Sequence, residues 1–156
     1  MYRMVVTDLD GTLLNSQKQV SDANAKAIYK LKDQNITFVM ATGRSDVMTK
    51  AYTKQLKNAD IVITGEGCLD GQTVMGKAPV GVAKIAKEFQ KPVLAFSGCV
   101  TEDAKACHAA GIDAFFPIVR GVISLEDAMQ TDHAKQNMSE TVEQVFRLLR
   151  TFQNIK

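Results

Sequence analysis

The chain has 156 residues, the size of one domain, with 46% hydrophobic and 23% charged residues, as in an ordinary globular protein. Its net charge of +2, with basic residues spread along the chain, argues against a nucleic-acid partner. No apolar run approaches the roughly 20 residues that a membrane-spanning helix needs, which argues against a membrane partner. The three cysteines have no metal-site spacing and predict reduced thiols, so we expect a cytoplasmic protein.

Short apolar runs alternate with amphipathic stretches along the chain. Continuous apolar runs separated by helices are typical of parallel strands in a sheet that is covered on both faces. We therefore predict an α/β fold with a three-layer, doubly wound (Rossmann-like), mostly parallel sheet of about five strands, in a single domain over residues 1–156. The strands are predicted at residues 4–7, 36–41, 61–64, 93–96 and 112–116.

Polar residues and glycines mark the helix boundaries between these runs. Ser21 can cap a helix, and Asn35, which tolerates a left-handed backbone, can end it. Thr101 is expected to cap a later helix that Gly111 closes, and Ser124 favours the start of another. The last helix has an apolar stripe that predicts core packing, or a homodimer face as the alternative. The stripe consists of Met138, Val142, Val145, Leu149 and Phe152.

The first candidate site follows the first strand, where Asp8 and Asp10 are two residues apart and Gly11 comes next. One carboxylate can attack phosphorus to form an aspartyl-phosphate, and the second can protonate the leaving oxygen and then activate water. Gly11 lets the backbone turn so that its amides point at a phosphate. Thr42 and Gly43 follow the second strand, where a small hydroxyl can hold a phosphoryl oxygen. These residues predict a phosphate site at the carboxyl edge of the sheet.

Residues 5–14, VVTDLDGTLL, closely resemble motif I of the haloacid dehalogenase-like (HAD) phosphohydrolases. Residues 38–44, FVMATGR, resemble motif II of the Cof-type branch of that superfamily. The resemblance implies that Asp8 is the nucleophile, that Asp10 is the general acid and base, and that both hold Mg²⁺. The motif III lysine and the motif IV acidic pair of the family have no counterpart downstream. This loss of Mg²⁺ ligands should weaken catalysis severely.

The second candidate site is a glycine-rich loop predicted from residue 65 to residue 77, after the third strand. A hydroxyl and a lysine before a helix N-terminus fit an anion site, and two carboxylates there can hold Mg²⁺ or act as a base. The loop is not a Walker A motif, because the GxxxxGK spacing is absent. The plainer alternative is that the glycines only shape the loop and the lysine is solvated. The candidate phosphate- or substrate-binding residues are Gln72, Thr73 and Lys77, and the candidate metal ligands are Glu66 and Asp70.

Residues 59–150 resemble the C-terminal part of bacterial glycerate kinases, beginning with ADIVITGEG at 59–67. The resemblance implies ATP as the phosphoryl donor and glycerate as the acceptor. Cys68 departs from the family pattern, which usually has arginine there, and this removes a possible phosphate contact. Gly71 stands where a small hydroxyl or alanine is common. The N-terminal part of the family is missing from the resemblance, and half of an interdomain site should bind substrates poorly or not at all.

Taken together, the two resemblances predict one hybrid chain, natural or chimeric. Residues 1–45 form its HAD-like segment, residues 59–150 form its glycerate-kinase-like segment, and the junction lies at residues 45–58. The N-terminal piece alone is near the size at which folding without help fails. We therefore expect it to share a sheet with the second segment.

The leading hypothesis for function is an incomplete and weak HAD-like phosphohydrolase site, dependent on Mg²⁺, that acts on a small phosphorylated metabolite through an aspartyl-phosphate. Glu66 or Asp70 would replace the missing carboxylates and Lys77 the missing lysine, which requires the third strand to lie near the first. One alternative is a glycerate kinase fragment that uses ATP and needs a partner half. The other is a folded domain in which both sites are vestigial.

Overall fold

The structure, a computed structural model, describes residues 4–8, 13, 15–17, 19–41 and 61–153. The predicted junction at 45–58 therefore lies outside the described residues. The strands are β1 (Met4–Asp8), β2 (Thr37–Ala41), β3 (Val62–Leu69), β4 (Val93–Val100) and β5 (Ala114–Pro117). The helices are α1 (Asp22–Asp33), α2 (Ala78–Glu88), α3 (Ala106–Ala109), α4 (Leu125–Met129) and α5 (Thr131–Gln153), and 3-10 turns cover Thr73–Met75 and Glu102–Lys105.

The strands pair only in parallel within the described part of the chain. β1 pairs with β2, and β4 lies between β3 and β5 in a three-stranded sheet. The predicted α/β class and parallel pairing are confirmed. β1 also lies alongside β3, but no hydrogen-bonded register joins them among the described residues. A single sheet of about five strands is therefore not confirmed.

Successive residues of β4 point to opposite faces of the three-stranded sheet. Helices cover both of these faces. Val93 and Ala95 pack with buried residues of α2 and α3. Leu94 and Phe96 pack on the other face with the buried Val145 of α5. Four members of the predicted stripe lie in that second core, so core packing is confirmed for them: Met138, Val142, Val145 and Leu149.

The predicted helix boundaries hold where they depend on local chemistry. The Ser21 hydroxyl accepts the Asn24 N–H at 3.2 Å, and the Ser124 hydroxyl accepts the Asp127 N–H at 3.0 Å. Asn35 and Gly111 adopt the left-handed backbone, with φ of 55° and 104°. In the described part of the chain, no helix is both long and apolar enough to cross a membrane.

The first half of the predicted glycine-rich loop is instead a strand. β3 continues through Leu69, because Gly65 pairs with Phe96 and Cys68 pairs with Cys99 across a β4 that is itself four residues longer than predicted. Leu69 is completely buried and fixes the end of the strand. The prediction of a loop starting at Gly65 was wrong, and the connection to α2 begins at Asp70.

Candidate functional site

The turn between β3 and α2 brings four polar side chains together at the carboxyl end of β3. Asp70 follows the strand, a 3-10 turn comes next, and Gly76 adopts a left-handed backbone (φ 108°) that would strain a side chain. The chain then enters α2, with Lys77 at its N-cap position. We call these four side chains the β3–α2 cluster: Glu66, Asp70, Thr73 and Lys77.

Thr73 is completely buried and organises the β3–α2 cluster. Its hydroxyl lies 3.0 Å from Asp70 Oδ1 and 3.4 Å from Glu66 Oε2, so it can donate its one hydrogen to either carboxylate. The same hydroxyl accepts the Asp70 N–H at 3.2 Å, and the Thr73 N–H donates to Asp70 Oδ1 at 2.9 Å. These bonds fix the orientation of the Asp70 carboxylate.

Lys77 closes the β3–α2 cluster with its ammonium group. Its Nζ donates to both carboxylate oxygens of Asp70, at 3.1 and 3.2 Å, and lies 3.7 Å from Glu66 Oε1. These bonds, with the bond from Thr73, hold the pKa of Asp70 below its usual value. The bond to Asp70 raises the pKa of Lys77. Lys77 is therefore paired and not merely solvated, whereas Gln72 is exposed beside the turn.

Residues at the end of β4 hold this turn in place, and the sequence analysis missed that role. The buried Ser97 hydroxyl accepts the Leu69 N–H at 3.0 Å. The Leu69 carbonyl accepts the Thr101 N–H at 2.9 Å and the Thr101 hydroxyl at 3.2 Å. Thr101 occupies the N-cap position of the 3-10 turn that leads into α3, as predicted, but its side chain makes no cap bond to a backbone N–H. The Asp103 carboxylate lies directly over Gly71, at a position that a Cβ on Gly71 would overlap.

Thr64 extends the polar surface of β3 toward the core. It lies two residues before Glu66, so both side chains are on the same face of the strand. Thr64 is 1% exposed, and its hydroxyl has no hydrogen-bond partner among the described residues. Buried polar groups are nearly always hydrogen-bonded, so this hydroxyl is an exception next to the β3–α2 cluster.

Two of the three cysteines are joined, contrary to the expectation of reduced thiols. Cys68 and Cys99 occupy paired positions on β3 and β4 and form a disulfide. The expectation failed because a spacing of 31 residues gives no sign that two strands bring the cysteines together. Cys107 is a buried free thiol, and burial with nearby carboxylates raises its pKa, as expected of an unreactive core cysteine.

The HAD-like residues lie mostly outside the described chain. Asp8 ends β1, and its backbone pairs with Ala41 of β2. Asp10, Gly11, Thr42 and Gly43 are outside the described residues. The roles predicted for these five residues therefore stay predictions. The requirement that the first and third strands be near each other is met, because β1 lies alongside β3.

No group of three or more His, Cys, Asp or Glu side chains in the described ranges is arranged to hold a metal ion. Glu66 and Asp70 are a pair of oxygen donors linked through Thr73. Mg²⁺ commonly takes only one or two carboxylates from a protein when phosphate oxygens and water complete its shell. The pair therefore fits Mg²⁺ delivered with a phosphate, and does not form a complete protein cage.

The chain is an α/β protein with a parallel sheet and a polar cluster at the carboxyl ends of the strands. In this class of protein, ligands bind at that edge of the sheet. The model of the glycerate kinase family matches residues 37–150, and the chain belongs to that family. Residues 1–69 match the model of sucrose-6F-phosphate phosphohydrolase. The hybrid resemblance predicted from the sequence is confirmed.

Individual relatives divide in the same way. A glycerate kinase of Haemophilus influenzae is 47% identical over 94 residues, which cover 60% of this chain and 24% of the relative. A 5-amino-6-(5-phospho-D-ribitylamino)uracil phosphatase of Bacillus subtilis is 35% identical over 65 residues, covering 42% of this chain and 26% of the phosphatase. The chain thus spans about a quarter of the length of these curated relatives.

A solved structure gives the same result for the fold. The crystal structure of a protein described as a glycerate kinase 2 candidate from Salmonella typhimurium LT2 superposes with a TM-score of 0.51 and 32% identity. The match covers 83% of this chain and 31% of the Salmonella chain.

Proposed function

We propose that this chain is a phosphoryl-transfer protein whose working site is the β3–α2 cluster, and that it supplies one half of an ATP-dependent, glycerate-kinase-type site. The observation that carries the proposal is the placement of Lys77. Its ammonium is held by Asp70 at the carboxyl edge of a parallel sheet, and the Lys77 side chain remains about one-third exposed. An anionic substrate can therefore reach it.

The two carboxylates have different tasks in this proposal. Asp70 accepts bonds from Lys77 and Thr73 that hold its pKa low, so it stays ionised at neutral pH and is a poor proton acceptor. It serves to hold Lys77 in position. Glu66 is less tightly engaged, at 3.4 Å from the Thr73 hydroxyl and 3.7 Å from Lys77. Glu66 is therefore the candidate to accept the proton of a substrate hydroxyl.

Lys77 binds the anionic group. Moving its ammonium from Asp70 to a phosphate or carboxylate oxygen exchanges one charge-assisted hydrogen bond for another. Once Lys77 has moved to the substrate, Asp70 would be free to ligate Mg²⁺ entering with ATP, and the Mg²⁺ would offset phosphate charge. The substrate class in this proposal is a small hydroxy acid such as glycerate, with ATP as donor.

A second polypeptide half is supported by exposed apolar side chains within the glycerate-kinase-like segment. Val122, Leu125 and Met129 are 74% or more exposed, on and just before the short helix α4. Neighbouring exposed apolar side chains commonly mark a surface that contacts another protein segment. In the proposal, a second copy or another chain completes the site.

The test is formation of phosphoglycerate from ATP and glycerate with Mg²⁺, measured over a wide range of protein concentration. A site completed by association gives a rate that rises more steeply than the protein concentration. Lys77→Met should lower the rate by about 10²-fold or more, and Glu66→Gln comparably. Lys84→Met, on the exposed side of α2, is the matched control and should leave the rate unchanged. No phosphoglycerate at any concentration would reject completion of the site by a second copy of this chain.

The second candidate function is the HAD-like phosphohydrolase, which is favoured by the proximity of β1 and β3. We propose that β1 continues the sheet beside β3, in the order β2-β1-β3-β4-β5, which would bring Asp8 and Glu66 to one edge. Mg²⁺-dependent hydrolysis of a small phosphate ester should then fall at least about 10³-fold in Asp8→Asn. Equal rates in the two proteins would eliminate Asp8 as nucleophile. A folded protein inactive in both assays would support the non-catalytic alternative.

A further inference from the structure

The ends of β3 and β4 carry exposed residues beside the buried Leu69, which packs in the first hydrophobic core. Gly67 and Cys99 are exposed there. The two chains approach closely, since a Cβ on Gly98 would lie 2.6 Å from the Gly67 carbonyl oxygen. The covalent link across this pair is the disulfide between Cys68 and Cys99. These strand ends are therefore held by the packing of Leu69, by backbone contacts and by one disulfide, which is the covalent part of the connection.

The disulfide lies within the candidate site along the chain. Cys68 is two residues from Glu66 and two residues from Asp70. The position of Asp70 depends on where β3 ends, and that end is tied to β4 by the bonds that Leu69 makes with Ser97 and Thr101. Separation of the two strand ends would release these bonds together.

We propose that the Cys68–Cys99 disulfide is a redox-sensitive clasp that holds the β3–α2 cluster in its ordered arrangement, and that reduction by a dithiol loosens it. The proposal goes beyond the function proposed above, because it does not require the cluster to catalyse a reaction.

The chemistry is thiol–disulfide exchange. A thiolate of the dithiol attacks Sγ of the exposed Cys99, the Sγ–Sγ bond breaks, and Cys68 leaves as a thiolate that takes up a proton. The second thiolate of the reductant then attacks the mixed disulfide and releases Cys99. The protein disulfide gains two electrons, and the dithiol loses two electrons and becomes a cyclic or protein disulfide.

Cys107 takes no part in this exchange. It is a free thiol with no S–S bond for a reductant to break, and it is completely buried on α3. A free thiol in the core also provides an internal standard for counting thiols. The oxidised protein should show one reactive thiol after denaturation, and the reduced protein should show three.

The test uses the whole chain after oxidation with oxidised glutathione, with and without dithiothreitol, and follows backbone hydrogen exchange by mass spectrometry. Reduction should speed exchange about tenfold or more in residues 66–77, with no change in α1. The melting temperature should fall by about 5–10 °C. The double variant Cys68→Ala/Cys99→Ala should resemble the reduced protein and should not respond to dithiothreitol.

Two results would overturn the clasp. One is that all three thiols remain after oxidation, and the other is that exchange at residues 66–77 is the same in the oxidised and reduced proteins. These readouts need no substrate. Absence of kinase or phosphatase activity therefore leaves the clasp standing, and an active protein with unchanged exchange rejects the clasp alone.

Discussion

Lys77 Nζ lies 3.1 and 3.2 Å from the two carboxylate oxygens of Asp70, seven residues earlier in the chain. The pKa of Asp70 is lowered and the pKa of Lys77 is raised by this pairing. Each shift means that the folded state favours the charged form of the group. Folding stability should therefore depend on pH in a way that can be assigned to this pair.

The first prediction concerns that pH dependence, measured by urea unfolding of the wild type and Lys77→Met. The stabilisation from Asp70 is present above its unfolded pKa near 3.8 and is lost as pH falls through the lower folded value. The stabilisation from Lys77 is present below 10.5 and is lost as pH rises through the higher folded value. The free energy of unfolding of the wild type should thus exceed that of Lys77→Met by a constant amount between these limits. The difference between the two proteins should shrink in stronger acid and in stronger base. Lys84→Met should show no such profile, and a flat difference at pH 2–3 would contradict the assignment.

The second prediction concerns the buried hydroxyl of Thr73. Thr73→Val keeps the shape of the side chain but leaves the Asp70 N–H without its hydroxyl acceptor and removes one of the bonds to the Asp70 carboxylate. It should lower the free energy of unfolding by about 1–3 kcal/mol in denaturant titrations. Thr73→Ser keeps the hydroxyl and should restore cluster-dependent properties, such as the pH profile above. A valine variant as stable as the wild type would mean that these bonds contribute nothing.

The third prediction concerns the buried hydroxyl of Thr64, where a change from threonine to valine should not destabilise the protein, in contrast to Thr73→Val. Thr64→Val replaces a buried hydroxyl that has no hydrogen-bond partner in the described chain. Removing an unsatisfied buried polar group should leave the free energy of unfolding unchanged or raise it by about 1 kcal/mol. The measurement is the same denaturant titration, with Thr73→Val as the contrasting variant. A loss above about 1 kcal/mol would show that the Thr64 hydroxyl is satisfied in solution.

The fourth prediction concerns the close approach of Gly98 to Gly67. Gly98→Ala would place a Cβ 2.6 Å from a backbone oxygen, so the strand ends must move apart. We expect a loss of about 1–3 kcal/mol in unfolding free energy. Gly81→Ala is the matched control, because Gly81 is exposed on α2 and its Cβ would meet nothing within 4 Å. The control should stabilise the protein by about 0.5–1 kcal/mol. If both variants behaved alike, the close approach would be refuted.

Features that depend on nearby residues were predictable from the sequence. The Ser21 and Ser124 caps and the left-handed Asn35 and Gly111 follow from the preferences of single residues in their local context. The grouping of Glu66 with Asp70, Thr73 and Lys77 was also foreseeable, because a short turn cannot carry them far apart.

Features that depend on strand register could not be derived in this way. The extension of β3 to Leu69 and the Cys68–Cys99 pairing both require β4 to lie alongside, and no local pattern specifies that register. The positions of Thr101 and Asp103 against the turn have the same origin. Local propensity correctly placed Thr101 at an N-cap position, but its hydroxyl lies against the Leu69 carbonyl and the Asp103 carboxylate and not against a backbone N–H.

The compactness of the β3–α2 cluster along the chain bears on how such a protein arises. All four side chains lie within residues 66–77, so their mutual geometry is encoded by one short stretch of gene. A recombination event upstream of β3 or downstream of α2 leaves that stretch intact, whereas an active site assembled from distant segments would be divided. One short contiguous segment thus encodes the whole cluster, and it is kept in a chain whose N-terminal residues match a different family.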